Sequence, residues 1–216
     1  MEISRTPWLG TSAPPHATRT ATKLAGFAIA QLPRIIGDTR AYLDVGCGNG
    51  FITRHIVPYF ERTLAVAVER LRLEAFRAAG GDDPRLEIRQ VTPHLLDLPD
   101  AAFSLVTAFE VLEHVEDVAS VVTAMVRALA PGGVAVISVP QSMFPIETHG
   151  IQLGGKTIER KIPLLPWVPP LHRRLSIARV FRSSELDELF TSHGLETLAT
   201  AYAAPQFERA AKDHGR

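Results

Sequence analysis

The chain has 216 residues, 46% hydrophobic and 21% charged, with 23 basic and 23 acidic side chains. That composition suits one globular domain with a sizeable core and excludes a disordered chain. Zero formal charge without a lysine-rich block argues against nucleic acid as partner, DNA above all, because phosphate contacts need a basic surface. The single cysteine, Cys47, excludes a disulfide framework. No apolar run approaches membrane-spanning length and no secretory-signal pattern is visible, so a cytoplasmic location is expected.

Met1–His16 is rich in Pro, Ser and Thr, and residues 1–17 are expected to be loosely ordered, with a single domain over 18–216. From Thr18 to Ile36 the apolar positions Leu24, Phe27, Ala28, Leu32 and Ile35 recur at helical spacing, and Leu24 and Phe27 are taken as packing residues. Next comes Ala41–Gly50, AYLDVGCGNG. A short apolar run enters a loop with glycines at alternate positions, where a backbone can turn sharply and a ligand can approach without meeting a Cβ. Phe51–Phe60 is expected to continue as a helix. Strand, glycine loop and helix together open a nucleotide-binding α/β unit.

The spacing separates two kinds of cofactor. A dinucleotide fingerprint needs its third small residue five positions after the first glycine, where this chain has Phe51. Asp-x-Gly-x-Gly-x-Gly, written here from Asp44 to Gly50, instead resembles motif I of the class I S-adenosylmethionine-dependent methyltransferases. A carboxylate beside the loop suits a sulfonium-bearing zwitterion better than a pyrophosphate, which it would repel. The resemblance implies a Rossmann-like, doubly wound α/β fold with a seven-stranded, mostly parallel sheet. It also implies S-adenosyl-L-methionine as cofactor, with Asp44, Gly46, Cys47, Gly48 and Gly50 around its methionine and ribose portions. Cys47 is taken as a small residue filling a tight turn rather than a reactive thiol.

Thr63–Val68 (TLAVAV) forms the second expected strand, closed by Glu69. An acid at that strand end grips ribose hydroxyls in α/β nucleotide folds, since a carboxylate accepts two hydrogen bonds from a vicinal diol. Glu69, with Arg70 beside it, is assigned to the ribose. A helix over Leu71–Ala79 and a third strand over Arg85–Val91 follow. The family carries an acid for the adenine amino group at the position that Thr92 occupies here, so backbone near Thr92 and Pro93 is expected to take that role. Phe103–Phe109 is the fourth strand, and it delivers Glu110-Val111-Leu112-Glu113-His114 to the ligand-binding end of the sheet. A helical stripe over Val115–Ala130 and a fifth strand over Val134–Val139 complete the alternation, which implies a parallel sheet with helices on both faces. FSLVTAFEVLEHV and LAPGGVAVISVP also resemble the methyltransferases. EVLEH is closest to the small-molecule O-methyltransferases of ubiquinone biosynthesis.

Within this resemblance Glu110 forms the rear wall near the sulfonium, and His114 overhangs the cleft as the candidate base for a hydroxyl acceptor. His149 is placed opposite it at the start of an insertion. Glu110, Glu113 and His114 also match a Glu-x-x-Glu-His motif that holds a divalent metal in RNA 2′-O-methyltransferases, with His149 or His172 as the fourth ligand. The same pentapeptide is common in relatives without an implied metal, and the neutral charge disfavours RNA, so no metal is expected. After Pro140 the pattern breaks, and residues 141–180 carry Pro145, Pro163, Pro166, Pro169 and Pro170 together with Trp167 and several leucines. This segment stands where the family inserts its acceptor-binding lid. It could equally face a lipophilic acceptor, a membrane surface or a second copy of the chain. Ser183–His193 is expected to be a helix and Leu195–Ala203 the last strand. The expected activity is methyl transfer to a small, lipophilic hydroxyl compound. A non-catalytic S-adenosylmethionine-binding module and an RNA methyltransferase stand as alternatives.

Overall fold

The computed structural model describes residues 15–37, 40–80, 83–92, 97–158 and 160–202. Its centre is a five-stranded parallel sheet of β1 (Ala41–Val45), β2 (Arg62–Ala67), β3 (Leu86–Gln90), β4 (Phe103–Phe109) and β5 (Leu129–Ser138), in the order β3-β2-β1-β4-β5. The order reverses direction at β1, which lies between β2 and β4 with Leu43 opposite Leu64 on one side and Val106 on the other. β1 and β4 are buried at every position. Strands covered on both faces need continuous apolar runs rather than alternation, and AYLDV and FSLVTAF supply them.

Helices cover both faces. α1 (Pro15–Gln31) packs Ala25, Ala28, Leu24 and Phe27 against Tyr42, Leu105 and Val136. On the opposite face α4 (Val118–Ala128) turns Val118, Val121, Val122 and Met125 onto Leu43, Val106 and Ala108. α4 starts where Asp117 accepts hydrogen bonds from the backbone N–H (3.0 Å) and hydroxyl (2.6 Å) of Ser120, an N-cap worth about 1 kcal/mol. α3 (Arg70–Ala78) lays Leu73 and Phe76 on β2.

Three expectations require correction. The helix after the glycine loop is a single turn, α2 (Thr53–Ile56), followed by a 3-10 turn over Val57–Tyr59, because Pro58 cannot donate to the helical ladder. The fifth strand begins at Leu129 and passes through Pro131-Gly132-Gly133, with an irregular register opposite Phe103 and Leu105. Proline fits there because β5 is the edge of the described sheet, where one side of the strand needs no donor. Finally, the described sheet has five strands rather than seven. Residues 195–202 are not a strand, and Leu198 and Tyr202 lie largely exposed, so no buried face draws this stretch into the sheet.

Between β5 and α6 (Ser183–Ser192) the chain makes a closed excursion. Its ends meet where Gln141 bridges Phe181 and Phe181 N donates to Pro140 O (2.9 Å). Within it β6 (Ile146–Glu147) pairs with β9 (Ile162–Pro163), and β7 (Ile151–Leu153) pairs with β8 (Lys156–Ile158) across Gly154-Gly155. A 3-10 turn (Leu165–Trp167) and α5 (Pro169–Leu175) lead back to the sheet.

Candidate active site

The glycine loop leaves β1 at the carboxyl end of the sheet. Gly46 and Cys47 donate to Val66 O (2.8 and 3.0 Å), and Gly50 donates to Cys47 O (2.9 Å), which folds the loop back over β2. Gly46 has a φ of +79°, and a Cβ there would lie 2.2 Å from Val111 Cγ2. The loop and the turn after β4 therefore touch, and only glycine permits that approach. Gly48 has a φ of +54°, and a Cβ there would meet nothing nearer than Arg72 Nη1 at 3.9 Å. That side of the loop is open to a ligand.

Asp44 is 2% exposed and both its oxygens are engaged, accepting from Thr53 Oγ1 (2.6 Å) and Thr107 Oγ1 (2.9 Å). Since the Thr107 proton goes to Asp44, Tyr42 OH donates to Thr107 Oγ1 (2.8 Å). This network ties β1, β4 and α2 together under the loop, so Asp44 shapes the loop from within. Burial pushes its carboxyl up to about 6, against the threonine hydrogen bonds. Cys47 is buried, and burial, then the Asp44 charge, pushes its thiol up, as suits a turn-filling residue.

Glu69 lies just beyond β2 and precedes α3, and its Oε2 accepts from Arg72 Nε (2.6 Å). A carboxylate can accept about four hydrogen bonds, so capacity for a diol remains. Arg70 is exposed and lies 3.6 Å from Glu74. Thr92 is exposed at the end of β3, and Pro93 lies outside the described residues. The open loop and a half-exposed carboxylate at the end of β2 fit S-adenosylmethionine.

The second half of the site gathers at the ends of β4 and β5. Glu110 takes a left-handed backbone (φ +55°), unusual for a residue with a side chain. Its N–H donates to Ser138 O (3.1 Å), and Ser138 Oγ donates to its Oε1 (2.8 Å). A 3-10 turn over Leu112–His114 then brings in Glu113 and His114. Glu113 has a fully buried side chain, and neither of its carboxylate oxygens has a hydrogen-bond partner. From the excursion, His149 reaches the same place: its Nε2 lies 3.7 Å from Glu110 Oε2 and 3.8 Å from Glu113 Oε1. Its ring meets His114 edge-on, with centroids 5.6 Å apart.

Burial, then the Glu110 charge, pushes the Glu113 carboxyl up. Burial opposes charge on His149, but the surrounding carboxylates Glu110, Glu147 and Glu113 outweigh it and push the imidazole up. His114 moves the other way, lowered by burial and by the charge on His149. Burial also works against the charge on Glu110, yet His149 and Ser138 hold its carboxyl down.

Behind His149 stands a group that sequence reasoning did not single out. Glu147 accepts from His149 N (2.6 Å) through Oε1, and from His172 Nε2 (2.5 Å) and Ser176 Oγ (2.9 Å) through Oε2. These hydrogen bonds overcome burial and hold its carboxyl down at about 2. His172 thus belongs to this supporting layer and not to the cluster around Glu113. No local spacing could have announced it, because Glu147, His172 and Ser176 meet only through the excursion's path.

The profile of a methyltransferase domain family matches residues 43–137. Residues 43–137 are thus similar to a methyltransferase domain. A probable S-adenosylmethionine-dependent methyltransferase of Mycolicibacterium smegmatis is 35% identical over 101 residues, covering 47% of this chain and 38% of that protein. A ubiquinone biosynthesis O-methyltransferase of Paracidovorax citrulli is 35% identical over 97 residues, covering 44% and 41%. The chain therefore spans about two fifths of the length of these relatives. The crystal structure of an S-adenosylmethionine-dependent methyltransferase from Mesorhizobium loti matches with a TM-score of 0.59 at 23% identity, over 78% of this chain and 79% of that one. The matched domain carries β1 to β5, the glycine loop and the Glu110–His114 turn. It ends before the excursion that supplies His149.

Proposed function

We propose that this chain transfers a methyl group from S-adenosylmethionine to a hydroxyl of a small, lipophilic acceptor, with His114 and His149 flanking that hydroxyl. The observation that carries the reading is the convergence of Glu110, Glu113, His114 and His149 beside the loop at Gly46. When bound, the cofactor supplies an electrophilic methyl on a positively charged sulfur. The chain's own task is then to position a nucleophile roughly 3–3.5 Å from that methyl, exclude water and dispose of the hydroxyl proton. Loop residues Gly46–Gly50 and Glu69 would hold the cofactor's amino-acid and ribose parts. The acidic and imidazole cluster would orient the acceptor oxygen and take up its proton. Exposed Leu164, Trp167, Val168 and Leu171 on the excursion support an apolar acceptor.

The test is transfer of label from methyl-labelled S-adenosylmethionine to matched phenols, aliphatic alcohols and amines, with S-adenosylhomocysteine measured alongside. Label is expected on the phenols or alcohols. Tight cofactor binding with no turnover on any acceptor would overturn the catalytic reading in favour of a binding module. Transfer to a short RNA would overturn the small-molecule acceptor.

A further inference from the structure

We propose that Arg72 is the basic residue of the cofactor side. It is a positioning residue that holds Glu69 off the start of α3 and beside the open face of the glycine loop, so that the site selects a nucleoside with an intact 2′,3′-diol. This rests on the reading of Glu69 as the ribose acid and deepens it. It replaces Arg70, which was expected there from its place next to Glu69.

The geometry of α3 separates the two arginines. Residues two apart on a helix stand about 200° apart around its axis. Arg70 is turned outward, with 72% of its side chain exposed, and its Nη1 lies 3.6 Å from Glu74 Oε1. Arg72 is only 28% exposed, and its Nε donates to Glu69 Oε2 (2.6 Å). Its Nη1 lies 3.9 Å from where a Cβ on Gly48 would stand. The guanidinium therefore spans from the acid beyond β2 to the open face of the loop, the two features that the cofactor needs.

Glu69 shows what that contact does. It is the N-cap residue of α3, yet its side chain makes no cap hydrogen bond. A carboxylate at a helix start is drawn to the free N–H groups of the first turn. Those groups present about half a positive charge, whereas a guanidinium presents a full one, so the arginine prevails. With Oε2 held on Nε, Oε1 accepts no hydrogen bond from any described residue. A carboxylate fixed in this way meets a diol already oriented, and no affinity is lost to ordering a freely turning side chain.

The test is calorimetry with three nucleosides: S-adenosylhomocysteine, its 2′-deoxy analogue, and 5′-methylthioadenosine, which keeps the ribose and lacks the amino-acid part. Arg72→Met keeps the apolar stem and helix propensity and removes every donor. It should weaken S-adenosylhomocysteine and 5′-methylthioadenosine alike, by about 10-fold. It should also shrink the preference for S-adenosylhomocysteine over the 2′-deoxy analogue to about twofold or less. Added to Glu69→Ala, the same change should cost no more than about a further twofold. Arg72→Lys keeps the charge without the planar fork and should recover part of the preference.

A merely structural role would weaken both S-adenosylhomocysteine and its 2′-deoxy analogue equally and leave the preference intact, and that result overturns the proposal. A loss confined to S-adenosylhomocysteine, with 5′-methylthioadenosine unaffected, overturns it too, by putting Arg72 on the amino-acid carboxylate instead. So does an equal loss in Arg70→Met. Full affinity for S-adenosylhomocysteine in Glu69→Ala sinks the ribose reading of Glu69 and this proposal with it. Weakened binding in Glu69→Ala beside an unchanged preference in Arg72→Met sinks the role of Arg72 alone.

Discussion

The sheet and the excursion that follows it are stabilised in opposite ways. β1 and β4 are buried from end to end, and their apolar side chains meet helices on both faces. The excursion over 141–181 has only two-residue and three-residue strands, exposes Met143, Leu153, Leu164 and Trp167, and buries a charged group at its centre instead. That group, Glu147, is held by one backbone and two side-chain hydrogen bonds. A sheet packed in this way tolerates little movement. A polar network delivers one side chain, His149, to a defined place without needing a large core. The rigid half thus supplies the glycine loop and the carboxylates of Glu110 and Glu113, and the sparsely packed half brings His149 to them.

The sharpest way to break that contrast is to separate activity from stability. His149→Ala should lower kcat by about 10²–10⁴-fold while leaving the melting temperature close to that of the wild type. A loss of folding instead would mean that the excursion supports the core. The sheet should give the reverse result. Leu105 is fully buried between β1 and α1, and Leu105→Ala should cost about 2–5 kcal/mol in denaturant unfolding, with kcat per folded molecule nearly unchanged.

A pH series tests the buried acid beneath the loop. The Asp44 carboxyl stands at about 6 in the folded chain against an ordinary value of 3.8. A raised folded value means that the protonated acid is favoured by folding, so this contribution is complete below pH 3.8 and is lost as pH rises through about 6. Relative to Asp44→Asn, the wild type should therefore lose on the order of 3 kcal/mol between pH 3.5 and 7. A pH-independent difference would refute a titrating Asp44. At the cofactor side, Glu69→Ala should weaken S-adenosylmethionine binding by about 1–3 kcal/mol in calorimetry, and unchanged affinity would remove Glu69 from the site. The smallest effect is expected on the far face, where Asp117→Ala should cost about 1 kcal/mol of stability through the lost cap of α4.

Much of this was legible in the chain itself. Continuous apolar runs identify β1, β2 and β4 because buried parallel strands require them, and alternating glycines identify the loop because few other residues accept its backbone. Element ends were less legible. Pro58 cut a helix to one turn, and the edge position of β5 let Pro131 sit inside a strand. The second outcome depends on neighbours that local patterning does not encode.

The site divides along the same line. Local sequence determined the strands of the parallel sheet, the glycine loop and the run Glu110–His114, because each of these is a contiguous stretch with its own backbone demands. Only the tertiary structure decided that Asp44 lies beneath the loop held by two threonines, that His149 rather than His172 meets Glu113, and that Glu147 stands behind it. Those contacts join residues up to 63 positions apart. They are set by which strands lie side by side and by where the excursion closes on itself, and hydrogen-bond partners chosen in that way leave no periodic trace in the chain.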